Sequence, residues 1–412
     1  MREPSLMRFQ ARAPALRVSR VAFSVCALTA CALLAESLLL GAGSAHAATI
    51  QVGPRRTISR IGEAMRWARA GDVIEVDAAE YVDDTVSWSQ NDLIIRAVGG
   101  RARLVQMGVG AEEKAIFVIK GDNVVIENFE FAGAHVPGRN GAGIRHEGKR
   151  LTVRNCLFED NEMGILTWND GNAELVIEST EFRNNQVAAT YRSGDPIGHQ
   201  IYVGSIASFT LRDSYVHHGA FGHLVKSRAR ENRIFNNRIT DETGGRASYE
   251  LEFPNGGIAY VIGNIIEQSA LTENPDIVSF GAEGYRWPRS ELYLVNNTLV
   301  DDLPQGGMFV RVYPGADKVR LVNNLLLGNA RFDVSRSWAS GGNMRANHVD
   351  VPQADIGNYS LAKTSRLMRR AVDPGSANGV SLALTREYVH ALSSRTLSGR
   401  ASNPGALQTP LE

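Results

Sequence analysis

Gly198–Gly204 reads GHQIYVG, Gly222–Ala229 reads GHLVKSRA and Ser248–Phe253 reads SYELEF. Each is a short apolar-alternating segment with polar residues on its other face, as a half-buried β-strand requires. Tyr202, Lys226 and Glu250 follow one another at intervals of 24 residues, and His199 and His223 stand the same distance apart, as do Arg228 and Glu252. If that interval is one coil of a helical sheet, these residues are vertical neighbours separated by about 4.8 Å, the strand spacing of a β-sheet. Tyr202, Lys226, Arg228, Glu250 and Glu252 then form one polar column.

Outward from this stretch, a local pattern recurs in which Asn or Ser has apolar residues before and after it. The instances centre on Asn128, Asn155, Ser179, Ser214, Asn237, Asn264, Asn297 and Asn324, at steps of 27, 24, 35, 23, 27, 33 and 27 residues. A near-constant period of this size marks a repeat architecture. The apolar runs are too short for helical repeats, and no Leu framework is present for leucine-rich repeats. Three short strands per coil, stacked in parallel, fit the spacing. The recurring Asn suits a stacked turn in which its amide bonds to backbone and to the Asn of the next coil.

The ends of the chain read differently. Arg2, Arg8, Arg12, Arg17 and Arg20 precede an apolar run from Val21 to Leu40, then small residues ending in Ala45-His46-Ala47. That order is a secretory leader with its cleavage site, which makes residues 1–47 a signal peptide and the protein secreted or periplasmic. An uncleaved membrane anchor, or lipidation at Cys31 in Leu28–Cys31, are the alternative readings. Removing five arginines and two glutamates with the leader leaves 39 basic against 42 acidic groups, so no basic field points to nucleic acid. Cys156 is then the only thiol, unable to form an intramolecular disulfide and expected to be buried. From Thr57 to Ala70, Ile58, Ile61, Met65 and Ala68 recur at helical spacing, and Gly71-Asp72 ends the run.

In these features the chain resembles the right-handed parallel β-helix, or pectin lyase-like, superfamily. TISRIGEAMRWARAGDVIEVDAAEY (57–81) resembles its N-terminal cap, and NYSLAKTSRLMRRAVDPG (358–375) with SGRASNPGALQ (398–408) resembles the C-terminal turn of its bacterial polysaccharide lyases. The resemblance implies an all-β solenoid with an N-terminal capping helix: cap and first coils over 48–114, repeats over 115–330, C-terminal coils and cap over 331–412. It leaves the reaction open, because the fold serves lyases, epimerases, hydrolases, esterases and binders.

Strict alternation turns Gln200, Tyr202, Lys226, Arg228, Glu250 and Glu252 outward and Ile201, Val203, Val225 and Leu251 inward. His199 and His223 share the inward parity, but each follows a glycine, so an interior stack and a surface site are both open. Eliminating across a uronic acid needs a cation on the sugar carboxylate, a base for the adjacent proton and an acid for the departing oxygen. Lys226 is the expected base with Arg228 beside it. Tyr202, His199 or His223 is the partner in proton transfer. Some lyases of the superfamily pair a Lys base with an Arg and a calcium ion, and Lys226-Ser227-Arg228 is similar in residue type. Glu250 and Glu252, with Asp276 or Glu283, are candidate calcium ligands. Alternatively, Glu250 and Glu252 are the acid and base of a hydrolase, or simply cross-strand partners of Lys226 and Arg228. Arg286 and Trp287, in the longer coil around Tyr285–Arg289, are candidate substrate contacts, as are Glu250 and Glu252. Tyr191, Arg192 and Asp195 occupy the other long step, and Trp168, Arg311 and Tyr313 lie on neighbouring coils. The function expected is a polysaccharide lyase on an acidic polysaccharide, with a C5-epimerase, a hydrolase or a non-catalytic binder as alternatives. A membrane enters only through an uncleaved leader or lipid anchor.

Overall fold

The computed structural model describes residues 47–187 and 197–411, so the leader and Tyr191, Arg192 and Asp195 lie outside the described residues. Three long sheets carry the architecture. Among the described residues they hold 12 strands (Thr49–Val52 to Ala339–Gly341), 11 strands (Glu80–Val82 to Met344–Arg345) and 9 strands (Val86–Trp88 to Met308–Val312). Successive coils contribute one strand to each sheet, and every pairing along them is parallel, as in Leu151↔Leu175↔Phe209.

Stacking by coil explains the composition of the core. Inward positions repeat vertically, so like sits on like: Val153, Ile177, Leu211 and Ile234 form one aliphatic column. Phe131, Phe158 and Phe182 stack nearly parallel with centroids 4.9 and 4.7 Å apart, one strand spacing each. All three rings are fully buried, and each such burial contributes roughly 1.5–3 kcal/mol.

The asparagine ladder is present, one residue away from the expected place in its first rungs. The hydrogen-bonded rungs are Cys156, Thr180, Ser214, Asn237, Asn264, Asn297, Asn324 and Asn343. Each amide oxygen accepts from the backbone of the coil before it, and each amide nitrogen donates to a carbonyl, as Asn264 Nδ2 does to Ile234 O at 2.8 Å. Asn128, Asn155 and Ser179 instead occupy the preceding position, where φ is positive, together with Asn236, Asn296 and Asn323. The Asn-Asn pairs therefore divide two tasks. The first tolerates the left-handed backbone and in places also bridges coils, as Asn155 Nδ2 does to Asn128 Oδ1 at 2.5 Å and Asn323 Nδ2 to Asn296 Oδ1 at 3.3 Å, while the second carries the continuous ladder. Cys156 is a rung, fully buried, and burial pushes its thiol up to about 12.

The helix expected over Thr57–Ala70 is only Ile61–Met65. Arg60 is still extended, and Asp84 from the adjacent coil takes the amides of Ile61 and Gly62 at 2.6 and 2.9 Å. Beyond Arg345, two short antiparallel hairpins, Ser376–Ala377 with Val380–Ser381 and Arg386–Val389 with Ser393–Thr396, belong to none of the three long sheets.

Candidate functional site

The nine-stranded sheet carries the polar column. Its register runs Arg145↔Leu166↔Tyr202↔Lys226↔Glu252↔Ser279↔Arg311. Tyr202 and Lys226 are vertical neighbours as their spacing predicts. The next coil is two residues longer, so Lys226 stands opposite Glu252, not Glu250.

Glu250 is the main correction. Leu224, Val225, Glu250 and Leu251 are all fully buried, so two consecutive residues face inward at this point and simple alternation fails. Gln200, the equivalent residue one coil earlier, is also inside, where its Oε1 accepts from Asn185 Nδ2 at 2.5 Å. Glu250 has neither oxygen hydrogen-bonded. Burial first, then the charges of Asp241, Glu267 and Asp301, push its pKa well above the usual carboxylate range.

On the outer face, the remaining groups converge. Arg228 Nε donates to Tyr202 Oη at 3.2 Å, and Nη1 donates to Asn255 Oδ1 at 2.8 Å. Glu283 reaches back from the longer coil to Arg228 at 2.6 and 3.0 Å and to Lys226 Nζ at 3.2 Å. Glu252 Oε2 lies 3.2 Å from Lys226 Nζ, an ionic contact, and 3.0 Å from His223 Nε2, a polar contact that is ionic only when the imidazole is protonated. The expected Lys226–Glu250 and Arg228–Glu252 pairs are thus replaced by Lys226–Glu252 and Arg228–Glu283. Arg228 lowers Glu283 to about 2. Burial works against the charge of Glu252, but His223 and Lys226 hold it below the ordinary value.

His199 and His223 belong to the outer side of the sheet. His199 pairs in register with Met163, which packs with Tyr202 and not with the bore. Its ring stands edge-on to Tyr202 at 5.1 Å and tilted to His223 at 4.7 Å, and His223 stacks on Tyr249 at 4.9 Å. The backbone N–H of His223 donates to His199 Nδ1 at 2.9 Å, which leaves the proton of a neutral His199 on Nε2. Both rings are nearly covered. Burial, with the charges of His223, Lys226 and Arg228, drives His199 far below its ordinary pKa. Burial also lowers His223, against the pull of Glu252.

The four carboxylates expected to hold calcium do not meet. Glu250 is in the bore, Asp276 pairs with Arg311 at 2.5 Å, and only Glu252 and Glu283 approach the same cation. Among the described residues no group of three or more His, Cys, Asp or Glu side chains is disposed to hold a metal ion. Arg286 is exposed, while Trp287 Nε1 donates to Arg228 O at 3.0 Å, tying the long coil to the site. Asn255 escaped the sequence reading. Its signal is the Pro254-Asn255-Gly256-Gly257 turn directly after the Glu252 strand. His217 is buried against Tyr215 with centroids 3.8 Å apart and has Nε2 3.2 Å from Glu181.

Comparison with known proteins agrees with this architecture. The family model described as a right handed beta helix region matches residues 109–250. The solved pectate lyase Pel9A superposes with a TM-score of 0.60 at 13% identity, covering 88% of this chain and 97% of that one. A PL6 family polysaccharide lyase from Pseudopedobacter saltans gives 0.47 at 14% identity, covering 74% and 94%. A pectin methylesterase from Aspergillus niger gives 0.34 at 10%, covering 72% and 85%. No curated relative matches the chain. At such identities a shared shape carries no shared reaction. The chain has the right-handed parallel β-helix fold found in polysaccharide lyases.

Proposed function

We propose that the protein is an exported polysaccharide lyase, freed of residues 1–47, that cleaves a uronate-containing polymer by β-elimination. The observation that carries this reading is the meeting of Tyr202 Oη, Lys226 Nζ and the Arg228 guanidinium on one outer face of the helical sheet. Both cations lie about 6 Å from the Tyr202 ring, at 6.0 and 5.7 Å. Lys226, engaged by two carboxylates, fits better as a charge-neutralising group than as the base. With Arg228 it would hold the sugar carboxylate and stabilise the charge that develops there as the adjacent C–H proton leaves. The incoming carboxylate takes the place of exposed Glu283 on the guanidinium.

Proton transfer falls to Tyr202. Because Arg228 donates to the phenolic oxygen, the phenol's own hydrogen is directed away from Arg228, toward solvent or substrate. Tyr202 gives its phenolic proton to the departing glycosidic oxygen and its oxygen takes the proton of the adjacent C–H, whose electrons form the double bond as the glycosidic C–O bond breaks. A hydrolase built on Glu250 and Glu252 is not supported, since the two carboxyls face opposite sides of the sheet.

The test uses the chain without residues 1–47 on a panel of uronic polymers, followed by the ultraviolet absorbance of the unsaturated product. Tyr202→Phe is expected to lower kcat about 10²–10⁴-fold, the usual contribution of a positioned acid–base group. Full activity in that variant removes the assignment. Altered sugar ratios without absorbance indicate an epimerase, and binding without turnover indicates a non-catalytic binder. The mutual pairing of Lys226, Arg228, Glu252 and Glu283 favours that last alternative over the others.

A further inference from the structure

The geometry points to a second sugar subsite beside this centre, formed by Trp168 and Arg145 and selective for a ring that carries a negative charge. The inference rests on the reading of the Tyr202 face as a site for acidic polysaccharide. Arg145 occupies the same outward column as Tyr202, two strands away through Leu166, or about 10 Å at the sheet spacing. Trp168 stands at the end of the intervening strand with 56% of its surface exposed. A large aromatic ring left open beside a cation cluster is a ready platform for the apolar face of a sugar.

Three details make this more than an exposed ring. The Arg145 guanidinium lies 5.6 Å from the Trp168 centroid, which fixes the indole from one side. Arg145 is only 13% exposed at its side chain, and its Nε is buried with no hydrogen-bond partner. The nearest carboxylate oxygen, Glu147 Oε1, is 3.5 Å away and is shared with Lys114 Nζ. An anionic oxygen on a sugar over Trp168 would give this guanidinium a charge-assisted partner besides Glu147. Finally, Gly204 follows Val203 as Trp168 follows Thr167 and Arg228 follows Ser227. The coil between Trp168 and Arg228 therefore presents no side chain there. A bulkier residue is barred, because a Cβ on Gly204 would sit 2.6 Å from Asn169 Oδ1 and 2.9 Å from Trp168 O.

There is a matching pair: Arg230 lies 5.9 Å from the Trp287 ring, and Trp287 is anchored on Arg228 O. A second Trp–Arg pair thus stands directly beside Arg228, its arginine on the coil of Lys226 and Arg228 themselves.

The experiment measures binding and turnover separately. Trp168→Ala, Trp168→Phe and the parent chain without residues 1–47 are titrated calorimetrically with hexagalacturonate, with an oligomannuronate and with a neutral hexasaccharide. KM and kcat are measured on whichever polymer is cleaved. Trp168→Ala is expected to weaken binding of an oligouronate, and to raise KM, roughly tenfold or more, as truncating an aromatic anchor does. Trp168→Phe should restore most of the loss, and the neutral oligosaccharide should bind neither the parent nor the variants. Cleavage with unchanged KM and affinity in Trp168→Ala overturns the subsite and leaves the lyase reading intact. Trp168-dependent binding of an oligouronate without cleavage of any polymer supports the subsite and overturns the lyase reading. Equal binding of neutral and acidic oligosaccharides, or no binding of either oligouronate by the parent, overturns the inference.

Discussion

Replacing Glu250 by Gln should make the protein more stable, and more so as pH rises. The carboxyl lies in the bore with no exposed surface and no hydrogen bond, among Asp241, Glu267 and Asp301. Its folded pKa is raised above its unfolded one. The unfolded chain releases this proton first, so between the two pKa values the folded state binds more protons and stability falls as pH increases. The loss is complete above the folded pKa. Asp241 gives the scale: burial raises it from 3.8 to about 7. At about 1.4 kcal/mol per unit, that one group forfeits roughly 4 kcal/mol between acid and neutral pH. Glu250 shifts in the same sense for the same reason, without the two backbone N–H groups of Gly219 and Ala247 that Asp241 accepts. Gln keeps the shape and removes the titration. Thermal midpoints of parent and Glu250→Gln, measured at pH 4.5 and pH 8, should differ little at the lower pH. At the higher pH the variant should gain at least the equivalent of one unit, about 1.4 kcal/mol. An equal shift at both values would refute the titration argument. Destabilisation at pH 8 would refute it more sharply, since it means that Glu250 is charged there and compensated inside the bore.

Other consequences are as direct. Asn264→Ala strips the Asn237 N–H and Asn237 Nδ2 of their acceptor and Ile234 O of a donor. At about 1–3 kcal/mol for a buried unsatisfied group, the thermal midpoint should fall clearly, while the exposed Glu113→Gln leaves it unchanged. His146 is buried with neither ring nitrogen hydrogen-bonded, and burial lowers it from 6.5 to about 4. Here the unfolded chain binds the proton first, so stability falls as pH drops from 6.5 towards 4, by about 3 kcal/mol in all. His146→Leu should flatten that acid limb in melts taken across the window. Cys156 should resist a water-soluble thiol reagent in the native chain without residues 1–47 and react fully in denaturant, since its thiol is buried and shifted up to about 12. Rapid native labelling would contradict its place in the ladder.

The solenoid was legible because its physics is periodic. A coil that adds one strand to each of three sheets must place apolar residues at fixed offsets, and the 24-residue repeat of Tyr202 and Lys226 survives intact as a ladder pair. What failed were the places where a coil changes length or a strand breaks alternation. Between Lys226 and Glu252 the coil gains two residues, and the polar ELE triplet offers two glutamates of the same parity, so counting by 24 selects the wrong one. The choice is made by the bore, where Leu251 and Phe253 must both lie inside and the residue before Leu251 follows Leu224 and Gln200 inward. The one-residue error in the asparagine ladder has a similar origin. A side chain tolerant of left-handed backbone and one that bridges coils are both best served by Asn, and where the two stand side by side, as at Asn296 and Asn297, type alone does not distinguish them. At Cys156 and Thr180 the bridging residue is not Asn at all, and only the continuity of hydrogen bonds from Ser214 upward identifies it. Pairing across coils is therefore the quantity on which the site depends. The same two-residue lengthening that hides Glu250 in the bore brings Glu252 under Lys226 and His223, and so determines which carboxylate meets the cations of the outer face.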